Sequence, residues 1–252
     1  MNNENKNIEK LEMPNRNTLS ATSACYVPFK IDGLTIINDD CLNCIDSLPP
    51  VHLVVTDPFY GSGGRDGSVH LNDDNIIGNR MSADSLIWFV KQYSKKLYEK
   101  TFDDSHCYIF SDWRKYKDIQ IAFETSGWEL RSLIVWDKGN GMGEFWRSTH
   151  EFILFFTKRK PRKLTHGGCM NVLRFAPVRG NKLHPSEKPI ELLGYLIEAS
   201  SNVGETVLDC FAGSGSTLEA ARKLGRKAVG IELSQKYYEV MKNRLSQTEM
   251  LN

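Results

Sequence analysis

Two short stretches of this sequence carry side chains whose types and spacing suit chemistry on a small ligand. Asp57-Pro58-Phe59-Tyr60 puts a carboxylate, a proline carbonyl and an aromatic ring within four residues. An exocyclic amine on a nucleobase is a poor nucleophile, because its lone pair is delocalised into the ring. Two acceptors, the Asp57 carboxylate and the Pro58 carbonyl, can hold the amine hydrogens and favour attack by nitrogen. Tyr60 can stack on the base face, a contact worth about 1–3 kcal/mol. Taken alone, however, the four residues are better read as a capped turn with a core tyrosine.

The second stretch is Val207-Leu208-Asp209-Cys210-Phe211-Ala212-Gly213-Ser214-Gly215-Ser216-Thr217. Apolar strand, glycine loop and helix start arrive in the order that builds a ligand site beyond a strand's carboxyl end. Gly213 and Gly215 let the backbone turn tightly and approach a ligand closely. Glu232 ends the next apolar run, about twenty residues on, where an acid can accept hydrogen bonds from ribose hydroxyls. No third glycine completes G-x-G-x-x-G, which disfavours a nicotinamide or flavin dinucleotide. An adenosyl cofactor without a pyrophosphate fits better, and a plain packing turn stays open.

The elements around these stretches alternate between strands and helices. Strands are expected at Leu34–Ile37, Val51–Val55, Tyr108–Phe110, Leu133–Trp136, Phe152–Phe156, Thr206–Leu208 and Ala228–Ile231. Helices are expected at Cys41–Leu48, Ser85–Lys100, Arg114–Glu124, Pro189–Ser200, Ser216–Leu224 and Gln235–Leu245. This pattern predicts an α/β fold with a mostly parallel sheet and helices on both faces. Residues 1–30, rich in Asn and without a period, read as a mobile arm, leaving 31–252 as one domain. The long polar stretch from Gly61 to Arg80 reads as a lid or binding loop.

With 252 residues, 40% apolar and 25% charged, the chain has the make-up of an ordinary globular domain. It contains no apolar run long enough to span a membrane, and its first thirty residues show no secretory signal. The cytoplasm is the expected address. The 32 Lys and Arg nearly cancel the 31 Asp and Glu, so net charge does not argue for or against a nucleic-acid partner. Six scattered cysteines do not suggest a disulfide framework. Cys41 and Cys44 form a lone C-x-x-C without the second pair of a zinc ribbon.

Taken together, the two stretches resemble the amino-methylating DNA methyltransferases, which act on adenine N6 or cytosine N4. The resemblance rests on Asp57-Pro58-Phe59-Tyr60, on Phe211-Ala212-Gly213-Ser214-Gly215, on His184-Pro185-Ser186-Glu187-Lys188-Pro189 and on Asn38-Asp39-Asp40-Cys41-Leu42. The catalytic motif precedes the cofactor motif, the circularly permuted order of the family's β group. The likeness spans about residues 32–246. It implies a Rossmann-like, S-adenosylmethionine-dependent methyltransferase fold with a seven-stranded sheet. It also implies Asp57, Pro58 and Tyr60 as catalytic residues. Asp40, Cys41, His184, Ser186, Lys188, Asp209, Phe211, Gly213, Gly215 and Glu232 would hold S-adenosyl-L-methionine, with Lys188 meeting its carboxylate. The family usually has proline where this chain has Phe59, which loosens the corner's backbone. An initial Asp rather than Ser favours adenine N6 over cytosine N4.

Double-stranded DNA is then the expected partner. Residues 158–183 fall where the family places its target-recognition region. Lys158 to Lys182 holds Lys160, Arg162, Lys163, Arg174 and Arg179 among its basic residues and no Asp or Glu. Arg174 and Arg179 are candidates for guanine edges, and a solvated basic loop is the plainer alternative. Arg65 and Arg80 would touch the backbone as the Gly61–Arg80 loop closes over an extruded base. No metal is expected, and a homodimer and a restriction–modification setting stay open. Competing readings are cytosine N4 transfer, a silent DNA-binding methyltransferase fold, and a nucleotide-dependent oxidoreductase.

Overall fold

The computed structural model describes residues 27–58, 83–141, 144–180 and 182–247. The expected arm up to residue 26, Tyr60, and the segment holding Arg65 and Arg80 lie outside the described residues.

The Val51–Thr56 strand shows why the chain builds a covered parallel sheet. Five of its six residues are buried, so both of its faces need a helical cover. Leu53 and Val55 point into one apolar layer and Val54 into the other. The described strands are β1 (Phe29–Ile31), β2 (Leu34–Asn38), β3 (Val51–Thr56), β4 (Thr101–Ser111) and β5 (Glu129–Asp137), followed by β6 (His150–Thr157), β7 (Val172–Arg174), β8 (Thr206–Asp209) and β9 (Lys227–Glu232). The helices are α1 (Cys41–Cys44), α2 (Ala83–Lys100), α3 (Tyr116–Thr125), α4 (Ile190–Ser200), α5 (Ser216–Lys223) and α6 (Gln235–Gln247). Side chains of α1, α2 and α3 join the layer of Val54, and those of α4, α5 and α6 join the layer of Leu53 and Val55.

The strands form one sheet in the order β1-β2-β9-β8-β3-β4-β6-β5-β7. Pairing is parallel from β2 through β4, antiparallel at β1–β2, β4–β6 and β6–β5, and parallel again at β5–β7. The expected seven strands are the inner seven, and one short strand is added at each edge. β1 pairs with β2 across a two-residue turn, Asp32-Gly33, whose residues both have positive φ (44° and 76°). Its three residues are too few to show a period, and they carry the folded domain back past the expected boundary at residue 31. β7 comes from the basic segment and lies along β5.

β3 and β8 are neighbours in the sheet, yet more than 140 residues separate them in the chain. From β3 the chain moves through α2 to β4 on one side. From β8 it moves through α5 to β9 on the other. The direction of winding therefore reverses between them, which opens a crevice beyond their carboxyl ends. Thr56, the last residue of β3, is buried, and its hydroxyl donates to Asp209 Oδ1 at the end of β8 (2.6 Å). Thr56→Val keeps the shape and leaves that buried acceptor short of a donor, which should cost about 1–3 kcal/mol. Chemical unfolding of the two proteins checks this, and an unchanged midpoint would mean the bond does not help hold the strand ends together.

Candidate active site

Asp57 and Pro58 follow β3 directly, so they sit at the mouth of the crevice. Pro58 is buried and Asp57 half-buried. The Asp57 carboxylate is in contact with the Lys188 ammonium. Lys188 is 9% exposed and also faces Glu151 Oε2 at 3.3 Å and the Phe110 ring at 5.2 Å. Burial alone would push the lysine down. The Asp57 and Glu151 carboxylates outweigh it and hold the ammonium above the usual lysine value. Burial likewise would push the Glu151 carboxyl up, and the Lys188 and Lys138 ammonium groups bring it below the ordinary glutamate value.

On the other side of the crevice, Asp209 is buried at the end of β8. Besides the Thr56 hydroxyl it accepts the Phe211 N–H (3.1 Å). Burial pushes its carboxyl up to about 6, against hydrogen bonds from Thr217, Thr56 and Phe211 that act the other way. Two positions of the turn that follows are glycine for a steric reason. Gly215 has φ 82°, and a Cβ there would sit 2.7 Å from Met241 Cγ; a Cβ on Gly213 would meet the His184 ring at 3.4 Å. Glu232, at the end of β9, accepts the Gly213 N–H and the Ser234 N–H, both at 2.8 Å. The Phe211 ring packs edge-on to Tyr93 (5.4 Å) and Phe89 (6.0 Å) of α2. Asp40 caps α1 by accepting the Leu42 N–H (2.9 Å).

Residues 182–189 cross the crevice as a strap. His184 lies over Gly213 and packs edge-on to Tyr237 (4.2 Å). Glu187 anchors the strap: it accepts the Leu183 N–H (2.8 Å) and pairs with Arg244 of α6 (2.7 Å). Arg244 is held in turn by Glu219 of α5. Ser186 is exposed and does not cap the helix, which starts one turn later behind Pro189 with no side-chain cap.

The structure thus gathers Asp57, Pro58, Asp209, Phe211, Gly213, Gly215, Glu232 and His184 around one crevice, with Asp40 at the neighbouring strand end. Cys41 is buried in the core beside Cys44, whose thiol burial pushes up to about 12. Lys188, expected to face a cofactor carboxylate, pairs with Asp57 and Glu151. Sequence reasoning missed Thr56, Glu151, Lys138, Glu187 and Arg244, whose roles come from partners far along the chain.

The basic segment is split between the two ends of the sheet. Lys160, Arg162 and Lys163 follow β6, which runs antiparallel to β4, and so lie at the edge away from Asp57. Lys160 and Arg162 bond through their N–H groups to Asp103 and Asp104, at the start of β4. Arg162 is further tied to Asp104 (2.8 Å) and Glu205 (2.6 Å). Lys158 is buried and donates to the Tyr98 and Thr101 carbonyls, closing the end of α2. Arg174 lies on the crevice side, and Arg179, five residues further on, is exposed. Arg174 pairs with Asp137 (2.7 Å) at the end of β5.

Among the described residues no group of three or more His, Cys, Asp or Glu side chains could hold a metal ion, and no helix is long and apolar enough to cross a membrane.

The comparisons agree with this geometry. The family N6_N4_Mtase, described as DNA methylase, matches residues 51–243. The Type II methyltransferase M.HpaI of Haemophilus parainfluenzae is 29% identical over 237 residues, covering 81% of this chain and 73% of its own. Among solved structures, the M1.HpyAVI–SAM complex superposes with a TM-score of 0.63 at 23% identity, covering 84% of this chain and 99% of that one. The cytosine-N4-specific PvuII DNA methyltransferase superposes with a TM-score of 0.68 at 16% identity, covering 84% and 86%. At these identities the two structures show a shared fold.

The raised Asp209 carboxyl makes a pH-dependent contribution to stability. Its folded value of about 6 lies above the ordinary 3.8, so the folded chain holds this proton more tightly than the unfolded one. Its contribution is full below the ordinary value and is lost as pH rises through about 6. Asp209→Asn should therefore gain stability relative to the parent over that window and level off above it. Urea midpoints of both proteins across the window check this; a difference independent of pH would contradict the assignment.

Proposed function

The chain belongs to the N6_N4_Mtase family of DNA methylases, and from that premise we propose that it moves a methyl group from S-adenosylmethionine to adenine N6 at a specific duplex DNA site, after extruding the base. The observation that carries the proposal is the junction of β3 and β8. There a corner of amine acceptors and a glycine turn with a downstream acid open into the same crevice.

The residues present suit the donor. The glycine turn gives a close backbone approach at Gly213 beneath His184, the Phe211 ring a flat wall, and the Glu232 and Asp40 carboxylates acceptors at adjacent strand ends. These residues, with His184 overhead, would hold it. Bound there, S-adenosylmethionine supplies an electrophilic methyl carbon on a sulfonium. Asp57 and the Pro58 carbonyl then accept the hydrogens of the target amine, which directs the nitrogen lone pair at that carbon. As nitrogen gains positive charge, Asp57 stabilises it more than it did the neutral amine, so the contact favours the transition state over the bound substrate. The carbon–sulfur bond would break as the carbon–nitrogen bond forms, sulfur would leave as a neutral thioether, and the nitrogen would then give its extra proton to solvent. Tyr60 is proposed to stack on the base.

The DNA would lie across the crevice edge. Arg174, Arg179 and Arg147 are exposed there. The loops after β4 and β5 add exposed rings, with Trp113 60%, Phe145 82% and Trp146 92% accessible. Cations for phosphates beside rings for unstacked bases are the surface that holding an extruded nucleotide requires. Lys160, Arg162 and Lys163, at the far edge, are left out of this interface.

Expression in methylation-free cells followed by nucleoside mass spectrometry should reveal N6-methyladenine. N4-methylcytosine in its place would move the reading to the other amine, and neither product would refute it. Asp57→Ala should abolish transfer of labelled methyl to DNA while donor binding by calorimetry persists. Arg179→Ala should lower DNA affinity and reduce the slope of log affinity against log salt by about 1; an unchanged slope would remove Arg179 from the interface.

A further inference from the structure

A row of alternating charge runs from the Asp57 corner across three strand ends. Asp57 follows β3, Lys188 comes from the strap, Glu151 is the second residue of β6, and Lys138 follows β5. Lys188 touches Asp57 and lies 3.3 Å from Glu151, whose other oxygen is 3.2 Å from Lys138. Lys188 is the centre of the row and is buried with the Phe110 ring against it. Among the described residues, the charged groups facing it are Asp57 from β3 and Glu151 from β6, with Lys138 beyond Glu151.

We infer that Glu151, supported by Lys138, is a positioning residue for methyl transfer, sharing the Lys188 ammonium so that Asp57 is held in aim without being fully neutralised. The inference rests on the proposed role of Asp57. The ammonium donates to Asp57 and to the Ser186 carbonyl, and with Asp57 as its sole anion it would concentrate its charge on that carboxylate. Asp57 would then be a poorer acceptor for an amine. A second carboxylate on the far side divides the ammonium's charge between two anions. It also keeps the ammonium protonated against the pull of burial. Lys138 holds Glu151 in place and keeps it ionised.

The consequence appears in the chemical step and not in binding, because Asp57 counts most once the nitrogen is gaining charge. Glu151→Gln, nearly isosteric, should lower kcat roughly 10- to 100-fold, with KM for DNA and for the donor within about twofold. It should also move the alkaline fall of kcat to lower pH, since a buried ammonium that loses one anion gives up its proton more readily. Glu151→Asp should recover part of the rate. Lys138→Met, at a part-exposed position, should lower kcat by a smaller factor without moving KM; it decides the matter if the Gln variant unfolds by circular dichroism.

Wild-type kcat and pH profile in Glu151→Gln would overturn the inference, as would a loss confined to KM. Asp57→Ala runs beside these as a control. If it is inactive while Glu151→Gln is wild-type, only the positioning role fails. If Asp57→Ala is active, the functional reading fails and this inference goes with it.

Discussion

The Thr56–Asp209 hydrogen bond joins two strand ends that lie far apart in the chain, and the proposed chemistry depends on that junction. Neither corner is informative alone. The acceptors at Asp57 have no reaction partner without a ligand beside them, and the glycine turn at Gly213 could serve many nucleosides. Parallel pairing of β3 with β8 sets them side by side. Reversal of winding at that pair opens space beyond the strand ends instead of covering it with a connection. The buried carboxylate of Asp209 then serves both sides, receiving the β3 hydroxyl and the N–H that starts the Phe211 turn.

A second constraint is electrostatic. The crevice mouth carries Asp57 and Glu151 on one lysine, and Asp209 and Glu232 lie beside the glycine turn. The two sides treat their acids differently. Asp57 pairs with a lysine and Glu151 is held below the ordinary glutamate value by two, whereas burial raises Asp209 and Glu232 with only neutral donors to offset it. The strap from residue 182 to 189 links the two. It brings Lys188 to the first pair and His184 to the glycine turn, and the Glu187–Arg244–Glu219 ion pairs tie it to α5 and α6.

Much of this was legible in the sequence because local patterns carried it. The buried runs at Val51–Val55 and Val207–Leu208 named the central strands, and the Asp57 and Gly213 corners stood where those runs stop. β1 and β7 were not foreseen, since three residues hold no period and their pairing comes from neighbours. The basic segment misled for a related reason. A count of Lys and Arg along the chain does not register that β6 delivers Lys160 and Lys163 to one end of the sheet while β7 carries Arg174 back to the other. Lys158 and Arg162 look like phosphate ligands in sequence but fold into carbonyl and carboxylate partners. Lys188 illustrates the limit of motif reading: its motif suggested a ligand contact, and its partners Asp57 and Glu151 lie 131 and 37 positions away.

The most direct measurement is calorimetric binding of a bisubstrate molecule in which the donor's sulfur-bearing side chain is joined through one carbon to the amine nitrogen of adenine. If the two corners share one reaction space, this compound should bind about a hundredfold more tightly than the donor alone, and Asp57→Ala should abolish the gain. A linked compound that binds no better than the donor would contradict the account, because it would mean that the glycine turn and the Asp57 corner do not open onto a common path for the methyl group.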